Sequence, residues 1–265
     1  MSEAPLAERW RAVRSERRAA LVPYLPAGYP TPAAFVAAAA AAQAAGADVL
    51  EVGVPFSDPL ADGPVIQRAT QAALAQGVGV ARTLALIREA GLTIPVVVMT
   101  YLNPVLAYGV DRFLADAGAA GVAGLLLTDL PAGGDPALED RVAAGPLAFV
   151  RLVAPTTSAE RMKEVVRRAS GFVYLISRLG VTGVSAGAPA DLAGHVARVR
   201  AATTLPVAVG FGIGTAAQAR ATAHLADGVV VGSALVDALG REGVPGVARL
   251  VGELAAGVRA RGAAA

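Results

Sequence analysis

The sequence contains no cysteine, which excludes disulfides, thiolate nucleophiles and cysteine-held metals. Lysine occurs once, as Lys163 in "SAERMKEVV", a segment of helical character expected on the outside of the fold. A lysine Schiff base is a poor fit there. Histidine occurs twice, as His195 and His224. Both sit in helical segments and far apart in the pattern, so no histidine-rich catalytic metal site is expected. No apolar run is long enough for a bilayer: the alanine-rich stretch 33–45 is both too short and too weakly hydrophobic. The opening "MSEAPLAERWRAVRSERRAA" carries Glu3, Glu8 and Glu16 and has no apolar centre, so residues 1–19 read as a surface helix rather than an export signal. Charge of one sign is also lacking, with 23 basic against 21 acidic residues. Arg161, Arg167 and Arg168 have no interleaved aromatics, so nothing suggests a nucleic-acid surface. A cytoplasmic, soluble protein is the expectation.

What is present is 55% hydrophobic residues in a chain of 265, enough for one sizeable core. Short β-branched runs recur eight times: "ALVPYL", "DVLEVGV", "IPVVVMTY", "AGLLLT", "LAFVRLV", "GFVYLIS", "PVAVGF" and "DGVVVG". Segments of helical character lie between them, at 31–45, 79–90, 110–117, 136–144, 158–169, 189–201, 215–224 and 244–261. The strand runs are nearly continuous in hydrophobicity, as in parallel strands covered on both faces. Eightfold alternation without a linker predicts an α/β fold, a single (β/α)8 TIM barrel over residues 1–265, preceded by its extra N-terminal helix. An open doubly wound sheet is the alternative.

In such barrels the reactive groups sit at the C-terminal strand ends and on the loops that follow. Two of those loops are long, 55–63 after the second strand and 178–188 after the sixth, and both are lid candidates. Glycines cluster at the ends of strands six, seven and eight, in "GVTG", "GFGIG" and "VGSA". Gly183, Phe211, Gly212, Gly232 and Ser233 there could present backbone N–H groups to a phosphate, and Ser233 could also cap a short helix. With cysteine absent and lysine and histidine badly placed, carboxylates remain for proton transfer. Glu51 lies inside a strand run near its C-terminal end. Facing the mouth it would be held protonated by desolvation; the alternative is a buried structural ion pair. Asp62 precedes Gly63-Pro64 and a helical run, so a helix N-cap and a catalytic role are both open, as they are for Asp58. Asp129, Tyr101, Asn103 and Tyr174 stand at or near strand ends as pocket or packing residues.

The stretches "GADVLEVGVPFSDPLADGPVIQ", "MTYLNPVLAYG", "LVAPTTS", "GFVYLISRLGVTG" and "VGFGI…DGVVVGSALV", in this order and spacing, resemble the tryptophan synthase alpha subunit family from about Leu21 to Ala238. The resemblance implies retro-aldol cleavage of indole-3-glycerol phosphate to indole and glyceraldehyde 3-phosphate. It implies Glu51 as the proton shuttle and Asp62 as acceptor of the indole N–H. It makes Tyr174 a pocket residue that helps position Glu51 or the glycerol, beside the pocket candidate Tyr101, and assigns Gly183, Phe211, Gly212, Gly232 and Ser233 to the phosphate. It places Asp58 and Arg178 in the two lids, with Thr182 bonding the aspartate on closure. It also implies no cofactor in this chain, and a beta subunit carrying pyridoxal phosphate in an alpha2beta2 heterotetramer. One departure lies in "LLLTDLPAGGDP", with threonine before Asp129 and glycines where acidic residues are common, in a region that faces the partner in relatives.

Overall fold

The computed structural model describes residues 5–176, 191–210 and 212–260. Eight strands, β1 (Ala20–Pro26), β2 (Leu50–Gly53), β3 (Val96–Thr100), β4 (Val122–Leu127), β5 (Ala148–Val153), β6 (Val173–Ile176), β7 (Val207–Gly210) and β8 (Gly228–Val231), pair in parallel and in sequence order. The ring closes where β1 meets β8, Leu21 opposite Val229 and Val22 opposite Val230. Helix α1 (Pro5–Ser15) precedes β1. The crossovers carry α2 (Pro32–Ala44), α3 (Pro64–Leu74), α4 (Val80–Ala90), α5 (Leu102–Tyr108), α6 (Val110–Ala119), α7 (Pro136–Ala143), α8 (Ala159–Arg167), α9 (Leu192–Ala202) and α10 (Ala216–Ala223). Helix α11 (Ser233–Arg259) follows β8 and breaks at Gly243, whose φ of 69° is left-handed. This is the (β/α)8 barrel expected from the alternation, and the doubly wound alternative is excluded by closure.

The strand alternation divides the core in two. Leu21, Leu25, Leu50, Val52, Val96, Val98, Leu125 and Phe149 point outward and pack with helix residues such as Phe35, Leu84 and Phe113. Ala20, Val22, Val49, Val97, Leu126, Val150, Phe172, Tyr174, Ala208 and Val230 fill the interior. Since side chains alternate along a strand, Glu51, between outward Leu50 and Val52, belongs to the interior set. The ends of the helices follow local chemistry. Thr31 accepts from the Ala34 N–H at the start of α2, with Pro32 in its first turn, and Thr215 forms a reciprocal cap with Gln218 on α10.

Two elements differ from the sequence expectation. Residues 1–19 read as a surface helix, yet in α1 Leu6, Trp10 and Val13 are buried and belong to the interior cluster. The barrel's N-terminal end would otherwise leave apolar side chains wet, and α1 covers it. The Trp10 ring centroid lies 5.3 Å from that of Phe172, and a Cβ on Gly228 would come within 2.6 Å of the indole. Helix α5 takes up Asn103, which the sequence places at the end of the third strand. Pro104 stands in its first turn, where its missing N–H would have no partner in any case.

Candidate active site

The site lies at the C-terminal mouth of the barrel and is built from the ends of β1, β2, β3 and β6 and the loop that leads into α3. Glu51 is 2% exposed and stands opposite Tyr24 of β1 and Val97 of β3 in register. Its Oε1 has no hydrogen-bond partner among the described residues. Among the described residues no cation pairs with it, which gives the structural ion-pair reading no support there. Burial pushes its pKa up to about 8, with the nearby charge of Asp62 adding to the rise.

Asp62 is 4% exposed and is held by a turn in which its own N–H donates to the Pro59 carbonyl at 3.0 Å. It is not the cap of α3. Gly63 holds that position, without a side-chain cap bond, so the N-cap reading of Asp62 is corrected. The reason is geometric: the aspartate turns inward, where the Tyr101 hydroxyl donates to its Oδ2 at 3.0 Å. The same hydroxyl accepts from the Ala61 N–H at 3.0 Å, which ties the loop to the end of β3. Oδ1 has no partner among the described residues. Burial raises Asp62 to about 6, opposed by the hydrogen bond from Tyr101. Two carboxyls in one pocket are thus pushed apart. Near pH 7 Glu51 is a neutral acid and Asp62 a carboxylate, a division of labour typical of acid–base sites.

The tyrosines complete the wall. Tyr174, on β6, is buried and lies against Gly210 of β7, where a Cβ would fall 2.1 Å from its hydroxyl. Tyr24 lies against Gly53 of β2 in the same way, also at 2.1 Å, and its ring reaches within 3.6 Å of a Cβ built on Gly232. Only glycine at 53 and 210 leaves room for the two phenols. Burial, with the charges of Glu51 and Asp62, raises both phenol pKa values, so both stay protonated donors. Phe56 packs on Tyr101 with centroids 5.2 Å apart.

Sequence reasoning missed Tyr24. The signal available was its phase: Ala20, Val22 and Tyr24 alternate in β1 as Phe172 and Tyr174 do around β6. It also missed the space-making role of Gly53 and Gly210.

Next to Tyr24, after β8, Gly232 caps α11 and its carbonyl accepts from Leu235 and Val236 at 2.8 and 3.1 Å. Ser233 is therefore the first residue of the helix rather than its cap, in a first turn of the kind whose N–H groups suit an anion. Gly212, after β7, has a φ of 75° and is half-buried. Asp58 stands exposed on the loop, accepting from the Ser57 hydroxyl, and does not join the buried cluster. The Asp129 carboxylate accepts from the Leu102 N–H at 2.6 Å and so fixes the start of α5. Arg178, Thr182, Gly183 and Phe211 lie outside the described residues. Lys163 is exposed on α8, His224 is exposed at the end of α10 and His195 is on α9. Among the described residues no group of three or more His, Cys, Asp or Glu side chains could hold a metal ion.

Comparison with known proteins agrees on one family. The family model described as "Tryptophan synthase alpha chain" matches residues 10–255. The tryptophan synthase alpha chain of Caulobacter sp. (strain K31) is 49% identical over 240 residues, spanning 89% of this chain and 87% of that protein. The alpha chain of Gluconacetobacter diazotrophicus is 46% identical over 261 residues, spanning 95% of each. Among solved structures, tryptophan synthase of Mycobacterium tuberculosis superposes with a TM-score of 0.88 at 46% identity, over 97% of this chain and 99% of that one.

Proposed function

The chain belongs to the tryptophan synthase alpha chain family, and from that premise we infer how its site performs the family's reaction. That reaction is a carbon–carbon lyase step of tryptophan biosynthesis: indole-3-glycerol phosphate is cleaved to indole and glyceraldehyde 3-phosphate. Atoms balance if one proton is added to the ring carbon that bears the side chain and one is removed from the adjoining glycerol hydroxyl. The bond between the ring carbon and the carbon that bears this hydroxyl then breaks, its electron pair returning to the indole ring as the hydroxyl carbon becomes an aldehyde.

Glu51 is assigned both proton movements. It is neutral near pH 7 because burial and Asp62 hold its pKa at about 8, so it carries the proton that the ring carbon needs. Once ionised it becomes the base for the hydroxyl. Asp62 remains charged under the same conditions, and its Oδ1, without a partner among the described residues, accepts the indole N–H, favouring the tautomer in which the ring carbon is protonated. Tyr101 orients Asp62 through its hydrogen bond, and Tyr174 walls the pocket beside Glu51. The phosphate is assigned to Gly212, Gly232 and Ser233, with Gly183 and Phe211. The loop 55–63, bearing Asp58, and the segment that holds Arg178 and Thr182 are assigned as lids.

The observation that carries this reading is the pair of unpaired carboxyl oxygens, Glu51 Oε1 and Asp62 Oδ1, buried together at the barrel mouth with no cation or metal cluster among the described residues. An uncompensated buried acid is costly and persists where chemistry uses it.

Family members work with a beta subunit. For this chain an alpha2beta2 assembly is proposed, with pyridoxal phosphate confined to the beta subunit. Two features support docking at the barrel mouth: Leu60, on the loop after β2, is 88% exposed, and Leu106, on α5, is 50% exposed. The solitary lysine, exposed on α8, is unsuited to a Schiff base in the site. No helix among the described residues is long and apolar enough to cross a membrane, and a cytoplasmic location is proposed. The test is to supply indole-3-glycerol phosphate to the purified protein and assay indole. Weak release alone and strong stimulation by a beta subunit are expected. No release under either condition would reject the assignment.

A further inference from the structure

Tyr24 has no place in the assignment above, yet it stands directly beside the reacting end of the pocket. It is the registered neighbour of Glu51 across β1 and β2. Its hydroxyl rests where a Cβ of residue 53 would stand, 2.1 Å from that point, and residue 53 is the next interior position along β2 from Glu51. Two residues along a strand span about 6.6 Å, a gap that a glutamate leaning toward the mouth largely crosses. On its other edge the ring meets Gly232 and packs with Ile66 and Val236. The phenol is therefore wedged from both sides, on the strand next to the one that carries the unpaired Glu51 oxygen.

Building on the lyase reading, we propose that Tyr24 is a positioning residue whose hydroxyl donates to the Glu51 carboxylate once the proton has left it. The bond stabilises the charged form that the second half of the reaction needs, and it breaks when Glu51 is reprotonated. Among the described residues Glu51 shares its surroundings with Asp62 from the loop before α3, Tyr174 from β6 and Tyr24 from β1, while Tyr101 at the end of β3 is bonded to Asp62. Among the described residues the interior positions of β4, β5, β7 and β8 (Leu126, Val150, Ala208 and Val230 among them) carry nothing titratable. Tyr101 is engaged by Asp62 and the Ala61 N–H, and Tyr174 lies against Gly210 on the β7 side. Tyr24 is the phenol registered directly beside Glu51.

Tyr24→Phe keeps the ring and removes the donor. Infrared titration of the protonated carboxyl stretch, with Glu51→Gln as the blank that identifies the Glu51 band, reads the effect directly. The Glu51 midpoint is expected to rise by about one pH unit, the size of one hydrogen bond to a charged group. In the indole assay kcat should fall about tenfold, with KM changed less than about twofold, and the corresponding limb of the pH–rate profile should move upward with the infrared midpoint. Gly53→Ala, which displaces the hydroxyl while keeping the phenol, should raise the midpoint in the same direction. A Glu51 band that titrates at the same pH in wild type and Tyr24→Phe overturns the proposal and leaves the lyase reading standing. A shifted band in a protein that releases no indole keeps the Tyr24–Glu51 link and removes the lyase reading.

Discussion

Replacing Glu51 by glutamine should cost the protein its activity and increase its stability, and the stability gain should depend on pH in a defined way. The folded state holds the Glu51 proton to about pH 8, against 4.5 for an unhindered glutamate. A carboxyl whose folded pKa is raised contributes no penalty below the unfolded value. As pH climbs through the interval between the two values, the unfolded chain releases its proton and the folded chain does not, so stability falls. Above about pH 8 the penalty is complete. The separation corresponds to about 5 kcal/mol at its limit, or about 3 kcal/mol at pH 7. Glutamine is nearly isosteric and has no proton to lose. Urea unfolding of wild type and Glu51→Gln at pH 5, 7 and 9 should therefore show curves that nearly coincide at pH 5 and separate progressively, with the variant more stable. Equal stability at pH 9, or a gap that does not widen with pH, would refute the claim that Glu51 is buried without a compensating partner.

Asp62→Asn should lower indole release by about 10²–10⁴-fold without loss of stability. Gly63, not Asp62, caps α3, so the roughly 1 kcal/mol loss of a missing N-cap should be absent from its melting curve. Gly210→Ala should disturb the pocket and the fold together. Its Cβ would meet the Tyr174 hydroxyl at 2.1 Å, and overpacking of this kind costs about 1–3 kcal/mol in denaturant unfolding. Arg151→Met should destabilise by about 3–5 kcal/mol, because it strands Glu139, buried 3.4 Å from the guanidinium. Adding Glu139→Leu should recover most of that loss.

The barrel was legible because its physics is repetitive. Eight apolar runs with helical segments between them leave two arrangements, a closed barrel and an open doubly wound sheet, and the pairing of β1 with β8 decides between them. The position of Glu51 was legible in part, since a carboxylate flanked by Leu50 and Val52 in a buried run must face either the helices or the interior. The sequence could not choose between the two, and the division of Leu50 and Val52 from Val49 in the folded core decides it. Asp62 was ambiguous because Asp-Gly-Pro before a helix suits a cap equally well. The hydrogen bond that settles its orientation comes from Tyr101, 39 residues away. Tyr24 and the burial of α1 were illegible for a related reason. A tyrosine in an all-buried run looks like packing until Gly53 across the strand pair is seen to make room for it. The apolar stripe of α1 has meaning only once the barrel has an end to cover.

The most direct test separates binding from chemistry in one variant. Glu51→Gln, loaded with indole-3-glycerol phosphate in a single-turnover experiment, should bind the substrate within about threefold of wild type, since the phosphate and Asp62 contacts are intact, yet release indole at least about 10³-fold more slowly. Cleavage by this variant at the wild-type rate would contradict the assignment of the proton transfers to Glu51.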